Sequence, residues 1–250
     1  MAVEDIYFTY FLGGLISLAA LAYGVRLATR GVARSERVAR IGGTALVHQE
    51  VMDWWYWSID PIVRALVALG VTANGLTWSA LMFGTGAGVA LGFGWFGLAT
   101  LLATASVICD ILDGQVARIT GSGSNRGELL DAAIDRYTEF AFLAGLAFYC
   151  AATPWQLALV LAALLASFMI SYTSAKAEAM QVAVPRGLMR RHERATYLIS
   201  GTGFTSLLGG VFEQRGLPAA TPVLAGLAIV AVFGNAAAVT RLVRIARALK

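Results

Sequence analysis

The sequence predicts an all-α, polytopic membrane protein, and three observations carry that prediction. Hydrophobic residues make up 58% of the 250-residue chain, and its mean hydropathy is +0.70, whereas soluble domains hold about 45–50% apolar residues. Charged residues are only 14% of the chain. They gather between apolar runs long enough to cross a hydrocarbon core of about 30 Å. The net charge of +4 does not point to nucleic acid, because the basic residues stand where membrane topology places them.

The first apolar run extends from about Ile6 to Leu27, with Glu4 and Asp5 before it and Arg26, Arg30, Arg34, Arg37 and Arg40 after it. A cleaved leader has a basic front and a shorter core, so this run is expected to be an uncleaved anchor. The charge bias puts its N-terminus outside the cell membrane and its C-terminal end in the cytoplasm. Residues 1–44 are therefore read as an anchor with a basic linker, and residues 45–250 as the membrane domain.

From about Ala45 to Leu69 the chain is mixed, with His48, Trp54, Trp55, Tyr56, Trp57, Asp60, Pro61 and Arg64. Aromatic clusters with scattered charges suit the headgroup zone, so amphipathic segments are expected on the cytoplasmic face, the second starting at Pro61. Thr72 or Asn74 then caps a span reaching about Gly94. Further spans are expected at Trp95–Arg118, Gly127–Ala151, Trp155–Met180, Tyr197–Phe212 and Ala219–Leu242. This makes seven in all.

With that topology, Arg118, Arg126, Arg136, Lys176, Arg186, Arg190, Arg191, Arg194, Arg241, Arg244, Arg247 and Lys250 fall at the cytoplasmic side, and Arg215 opposite. Neither a soluble domain, nor an internal repeat, nor a disordered tail is expected. Cys109 and Cys150 sit in apolar runs and read as buried thiols. His48 and His192 are isolated and read as interfacial polar residues.

Chemistry is concentrated between residues 110 and 135. Asp110 and Asp113 are spaced to share a helix face, and so are Asp131 and Asp135 across a Gly/Ser-rich loop. Four carboxylates in low dielectric repel one another unless protonated or neutralised. Their oxygens suit Mg²⁺, Mn²⁺ or Ca²⁺ rather than zinc, and the arrangement is expected to take two ions. Arg118 and Arg126 bracket the loop and could hold a phosphate, while Gly114 and Gly127 allow close approach to the backbone.

These residues also carry a resemblance. Asp113-Gly114-x2-Ala117-Arg118-x8-Gly127-x3-Asp131-x3-Asp135, with Asp110 upstream, resembles the signature of the CDP-alcohol phosphotransferase family. The resemblance implies a six-helix membrane core, to which the first helix is an addition. It also implies a reaction in which a CDP-linked alcohol, most simply CDP-diacylglycerol, passes its substituted phosphate to a second alcohol and releases CMP.

Carried over, it makes Asp110, Asp113, Asp131 and Asp135 ligands of Mg²⁺ or Mn²⁺, with Asp135 doubling as general base. Ala73, Asn74, Gly75, Leu76, Gly114, Arg118 and Ser124 would border the donor. The family's Pro-Asn-x-x-Thr stretch reads Ala73-Asn74-Gly75-Leu76-Thr77 here, without the Pro. A homodimer among membrane lipids, with its active site facing the cytoplasm, completes the expectation.

Residues Ser171 to Glu178 and His192-Glu193-Arg194 are similar to segments of phosphatidylinositol-phosphate and archaetidylinositol-phosphate synthases. That similarity implies an inositol phosphate acceptor held by Lys176, Arg190, Arg191 and Arg194. Ser174 departs from it, standing where those synthases carry a basic residue. Glycerol phosphate or a neutral alcohol such as serine therefore remains an alternative acceptor, and CDP-choline or CDP-ethanolamine an alternative donor. Glu139 continues the Asp131 and Asp135 face by one turn, either as a partner of the site or as a structural polar contact. Readings from other classes are a prenyltransferase, which needs two well-separated Asp-rich motifs, and a transporter coupling ions through intramembrane acids.

Overall fold

The computed structural model describes residues 3–31, 49–182 and 189–249. Arg34, Arg37, Arg40, His48, Arg186 and Lys250 lie outside them. Among the described residues a short 3-10 turn, Val3–Asp5, leads into α1, Ile6–Arg30. There follow α2 (Gln49–Ala68), α3 (Ala73–Gly92), α4 (Phe96–Thr120), α5 (Asn125–Tyr149), α6 (Pro154–Ala179), α7 (Arg191–Gln214) and α8 (Thr221–Ala248). No strand occurs among the described residues. The protein is an all-α, multi-pass membrane protein.

Four helices, α1, α4, α6 and α8, are long and apolar enough to span on their own. The α2 stretch Asp53–Ala68 and α3 qualify only as a pair, bent by 119°. The seven expected spans thus divide into four that qualify alone, one that qualifies only with its neighbour, and two that do not qualify. Helices α5 and α7, of 25 and 24 residues, reach far enough at about 1.5 Å per residue but are too polar to qualify by composition. Much of that polarity faces protein. Asp135 and Thr138 of α5, and Glu193, Arg194, Thr202, Thr205 and Ser206 of α7, are all buried. A second departure lies in α2, where Pro61 sits inside one helix instead of starting another. Its missing N–H leaves only the Trp57 carbonyl without its helical donor.

The chain forms two compact units. One comprises residues 10–83 and 105–135. Its core is Ile59 and Val63 of α2, Leu76 of α3, and Leu112 and Val116 of α4. The tryptophans of α2 hold α1: Trp54 Nε1 donates to the Ala19 carbonyl at 3.2 Å. The Trp57 ring lies 5.4 Å from that of Tyr23, and the Arg26 guanidinium stacks 5.7 Å from the Trp57 centroid. Such cation–π contacts contribute about 0.5–1 kcal/mol at exposed sites. Elsewhere α1 is almost bare, with Tyr10, Leu18 and Leu21 exposed, as befits a lipid-facing helix.

The other unit comprises residues 1–9, 84–104 and 136–250. Leu91, Phe96, Leu143, Leu146, Val160, Val223, Leu227 and Val230 centre its core. Gly88 of α3 and Gly145 of α5 let two helix backbones touch: a Cβ on Gly145 would collide with the Gly88 carbonyl. Asp5 serves this unit as a helix cap. Its carboxylate accepts the Gly97 and Leu98 amides at 2.7 and 2.9 Å, satisfying donors at the start of α4. The thiols Cys109 and Cys150 are free, the second buried.

Candidate active site

The site is built from the C-terminal half of α4, the following loop, the start of α5 and the start of α3, all in the unit of residues 10–83 and 105–135. Each helix begin or end has a local reason. Thr72 Oγ1 accepts the Gly75 amide at 3.1 Å and so caps α3, settling the choice between Thr72 and Asn74. Ser124 Oγ does the same for α5, accepting the Gly127 amide at 3.1 Å. Between them Gly121, with φ +65°, turns the chain out of α4.

The hairpin brings three of the four aspartates together. One carboxylate oxygen each from Asp110, Asp131 and Asp135 lies within 4.8 Å of the others, with Asp135 buried and the other two half-buried. Three anionic oxygens so close, in a sparsely hydrated place, make a site for a hard divalent cation of the Mg²⁺ or Mn²⁺ class. Asp113 stands apart from that trio. It is buried, and its Oδ2 accepts the Thr77 hydroxyl at 2.6 Å.

Beside the carboxylates opens a cavity of about 670 Å³, lined among others by Asp113 and Asp131. Of the residues expected to border a donor, Ala73, Asn74, Gly114, Arg118 and Ser124 line it. Gly75 and Leu76 do not: Gly75 is taken up by the Thr72 cap, and Leu76 packs in the core at 7% exposure. Arg118 reaches the cavity whereas the exposed Arg126 does not. A Cβ at Gly114 would come within 3.3 Å of Arg118 Nη1, so glycine there lets the guanidinium lie over the helix.

Sequence reasoning noticed Thr77 only for its register and missed its bond to Asp113. It also missed the cavity-lining Ser122 and Asn125. The Asn-x-x-Thr spacing was the available signal for Thr77. Ser122 and Asn125 had none beyond their place in the loop.

The residues expected at the acceptor belong to the other unit. Lys176 is exposed near the end of α6, and Arg190 and Arg191 are half-buried where α7 begins. That start is fixed by Glu193, whose Oε2 accepts the Arg190 amide at 3.1 Å. Arg194 is different. It is 1% exposed, donating from Nε and Nη2 to Glu139 at 2.9 and 3.0 Å and from Nη1 to the Met189 carbonyl at 2.9 Å. Glu139, left open between two roles, has Arg194 as its bidentate partner.

The family model described as CDP-alcohol phosphatidyltransferase matches residues 70–245. The chain belongs to that family. It is a membrane transferase of phospholipid biosynthesis.

Among similar proteins is the phosphatidylinositol phosphate synthase of Mycobacteroides abscessus, 34% identical over 184 residues, covering 69% of this chain and 79% of that one. Another is the phosphatidylinositol phosphate synthase of Mycobacterium tuberculosis, 35% identical over 151 residues, or 57% of this chain and 68% of that one. Solved structures agree. The M. tuberculosis phosphatidylinositol phosphate synthase PgsA1 in complex with manganese and citrate superposes with a TM-score of 0.65 at 26% identity, covering 74% of this chain and 87% of that one. The same enzyme with CDP-DAG bound gives 0.64 at 26% identity, covering 74% and 92%.

Proposed function

We propose that this enzyme transfers the phosphatidyl group of CDP-diacylglycerol to a hydroxyl of inositol phosphate and releases CMP. The observation that carries the reading is the carboxylate trio set beside a cavity that also holds Asn74, Gly114 and Arg118. A diphosphate needs such neighbours: cationic and amide groups for its oxygens and a metal site at its bridge. Similarity to phosphatidylinositol phosphate synthases, one solved with CDP-DAG bound, supports the choice of donor and acceptor.

In this reading Asp110, Asp113, Asp131 and Asp135 would hold two divalent ions of the Mg²⁺ or Mn²⁺ class. Bound there, the metal would neutralise the diphosphate and stabilise the CMP leaving group. Asp135 takes the proton of the acceptor hydroxyl. The freed oxygen forms a bond to the lipid-linked phosphorus as the bond from that phosphorus to CMP breaks. Ala73, Asn74, Gly114, Arg118 and Ser124 line the donor's place, with Gly75 and Leu76 shaping α3, which carries the first two. Thr77 orients Asp113.

Lys176, Arg190 and Arg191 offer charge-assisted contacts to the acceptor phosphate. Arg194, buried against Glu139, acts as a positioning residue that fixes the start of α7. The basic residues at the ends of α4, α6 and α8 and at the starts of α5 and α7 support an active site facing the cytoplasm and an N-terminus outside. Residues 1–44 are taken as an added anchor and linker on a 45–250 membrane domain, and the working unit as a homodimer.

The test is direct. Purified enzyme in vesicles containing CDP-diacylglycerol and Mg²⁺ is offered inositol phosphate, glycerol phosphate, serine and free inositol, and CMP and lipid products are followed by mass spectrometry. Phosphatidylinositol phosphate is the expected product. Turnover of serine or free inositol alone overturns the acceptor, and turnover of CDP-choline with diacylglycerol alone overturns the donor.

A further inference from the structure

The match to the family begins at residue 70, so α1 and α2 lie ahead of it. From Tyr10 onward they nevertheless belong to the same compact unit as the aspartates. Between Tyr10 and Thr29 the residues drawn out of full exposure are Leu12, Ala19, Tyr23 and Arg26. Spacings of seven, four and three put them on one stripe of the helix. A helix serving only as an anchor needs no such stripe, since lipid tails are as apolar as its own side chains.

The stripe meets α2. Trp54 Nε1 donates to the Ala19 carbonyl at 3.2 Å, the Tyr23 ring lies 5.4 Å from that of Trp57, and the Arg26 guanidinium stands 5.7 Å from the Trp57 centroid. Tyr23 is buried and its hydroxyl has no hydrogen-bond partner among the described residues, so its ring makes the contact. At about 100° per residue, Trp54 and Trp57 fall on one face of α2 and Ile59 and Val63 on the opposite one. That second face packs on Leu76 of α3 and on Leu112 and Val116 of α4. Leu112 stands between Asp110 and Asp113, and Val116 follows Gly114 by two residues. A layer one helix thick thus separates α1 from the turn of α4 that carries the aspartates. Close-packed side chains pass small displacements on instead of absorbing them.

We propose that α1 is a positioning element of the active site that acts through α2. Its Ala19, Tyr23 and Arg26 stripe holds the Trp54 and Trp57 face, and the opposite face of α2 sets the turn bearing Asp110 and Asp113. This rests on the reading of the aspartates as the metal site.

The experiment uses full-length enzyme in nanodiscs. It reads kcat with CDP-diacylglycerol and saturating acceptor, the Mg²⁺ concentration giving half-maximal thermal stabilisation, and the melting temperature. Tyr23→Leu and Trp57→Leu, assayed well below their melting transitions, should each lower kcat by roughly ten- to a hundredfold, the cost of a small misplacement at a catalytic centre. Each should also raise the half-maximal Mg²⁺ concentration several-fold. Tyr23→Phe keeps the ring and should match wild type. The two leucine changes together should be no slower than the slower single variant, because both remove one shared contact. Trp54→Phe loses only the donor to Ala19 and should show the same pattern at a smaller size, which covers a leucine variant that fails to fold. If the folded variants melt lower but keep the kcat and Mg²⁺ response of wild type, or if the two leucine effects multiply, α1 is an anchor only and the site reading stands. If wild type shows no Mg²⁺ response, the metal-site reading falls and the role of α1 falls with it.

Discussion

Thr77 donates its hydroxyl to Asp113 Oδ2 across 2.6 Å, fastening the N-terminal end of α3 to the active-site end of α4. Both side chains are buried and both line the cavity. A hydrogen bond to a charged group contributes about 1.5–3 kcal/mol. Thr77→Val keeps the shape and removes the donor, so kcat/KM for the CDP-linked donor should fall by roughly ten- to a hundredfold. Thr77→Ser should lose only a few-fold. Steady-state kinetics on the pair checks this, and unchanged kinetics in the valine variant would leave the bond a purely structural one.

The carboxylate trio predicts a metal response that can be read without turnover. A ligand that binds only the folded state stabilises it by about 2.7 kcal/mol at a hundred times its Kd. Wild type should therefore melt higher in Mg²⁺ or Mn²⁺ than in chelator. Asp131→Asn should abolish that rise, and its metal-free form should melt at or above metal-free wild type because one repelling charge has gone. A full Mg²⁺ response in Asp131→Asn would exclude the trio as the metal site.

Asp135 belongs to the trio and is assigned the proton as well. Asp135→Asn should lower kcat by at least the roughly 10²–10⁴-fold typical of a general base. CMP binding, measured by calorimetry in the presence of Mg²⁺, should weaken much less. Parallel losses in both would assign Asp135 to binding alone.

The helical architecture was legible because membrane spans announce themselves by length and hydropathy, and because the Asp spacing brings chemistry to one hairpin. Periodicity accounts for Asp131 and Asp135 on one face of α5; Asp110 joins them across the hairpin, whereas Asp113, spaced to share the Asp110 face, instead accepts the Thr77 hydroxyl. What the sequence hid is cross-helix pairing. Asp5 looked like a topology charge and turned out to cap α4, ninety-odd residues away. Glu139 and Arg194 are 55 residues apart, and no local pattern pairs them. The Trp54–Trp57 cluster read as an interfacial anchor from composition alone, yet two of its rings also hold α1. Leu76 was assigned to the donor through a four-residue stretch, although helix geometry turns every third or fourth residue toward the core.

The Asp5 cap gives a stability prediction confined to one helix end. Removing an N-capping side chain costs about 0.5–2 kcal/mol. Asp5→Ala should lower the melting temperature accordingly, and Asp5→Asn, which still accepts an amide, should recover part of it. Activity at low temperature should be little changed, because Asp5 touches only the far end of α4 from the aspartates. A large loss of activity with no loss of stability would show that the cap acts on the site.

The Glu139–Arg194 pair yields the sharpest contrast between a structural and a ligand role. Breaking a buried pair by removing one partner costs about 3–5 kcal/mol, because the other charge is left uncompensated, whereas replacing both with apolar residues is often neutral. Arg194 is 1% exposed, and another ion pair of Glu139, to Arg136, is longer at 3.6 Å. Arg194→Ala should thus destabilise the enzyme severely, and Glu139→Gln less so, since the amide oxygen still accepts one bond. The double variant Arg194→Met with Glu139→Leu should regain most of the stability, read as a melting temperature in detergent or nanodiscs. Its kinetics then separate the roles. If Arg194 only positions α7, the stable double variant should keep the KM for inositol phosphate within a few-fold of wild type. If Arg194 is itself a phosphate ligand, that KM should rise by roughly ten- to a hundredfold even though the fold is restored.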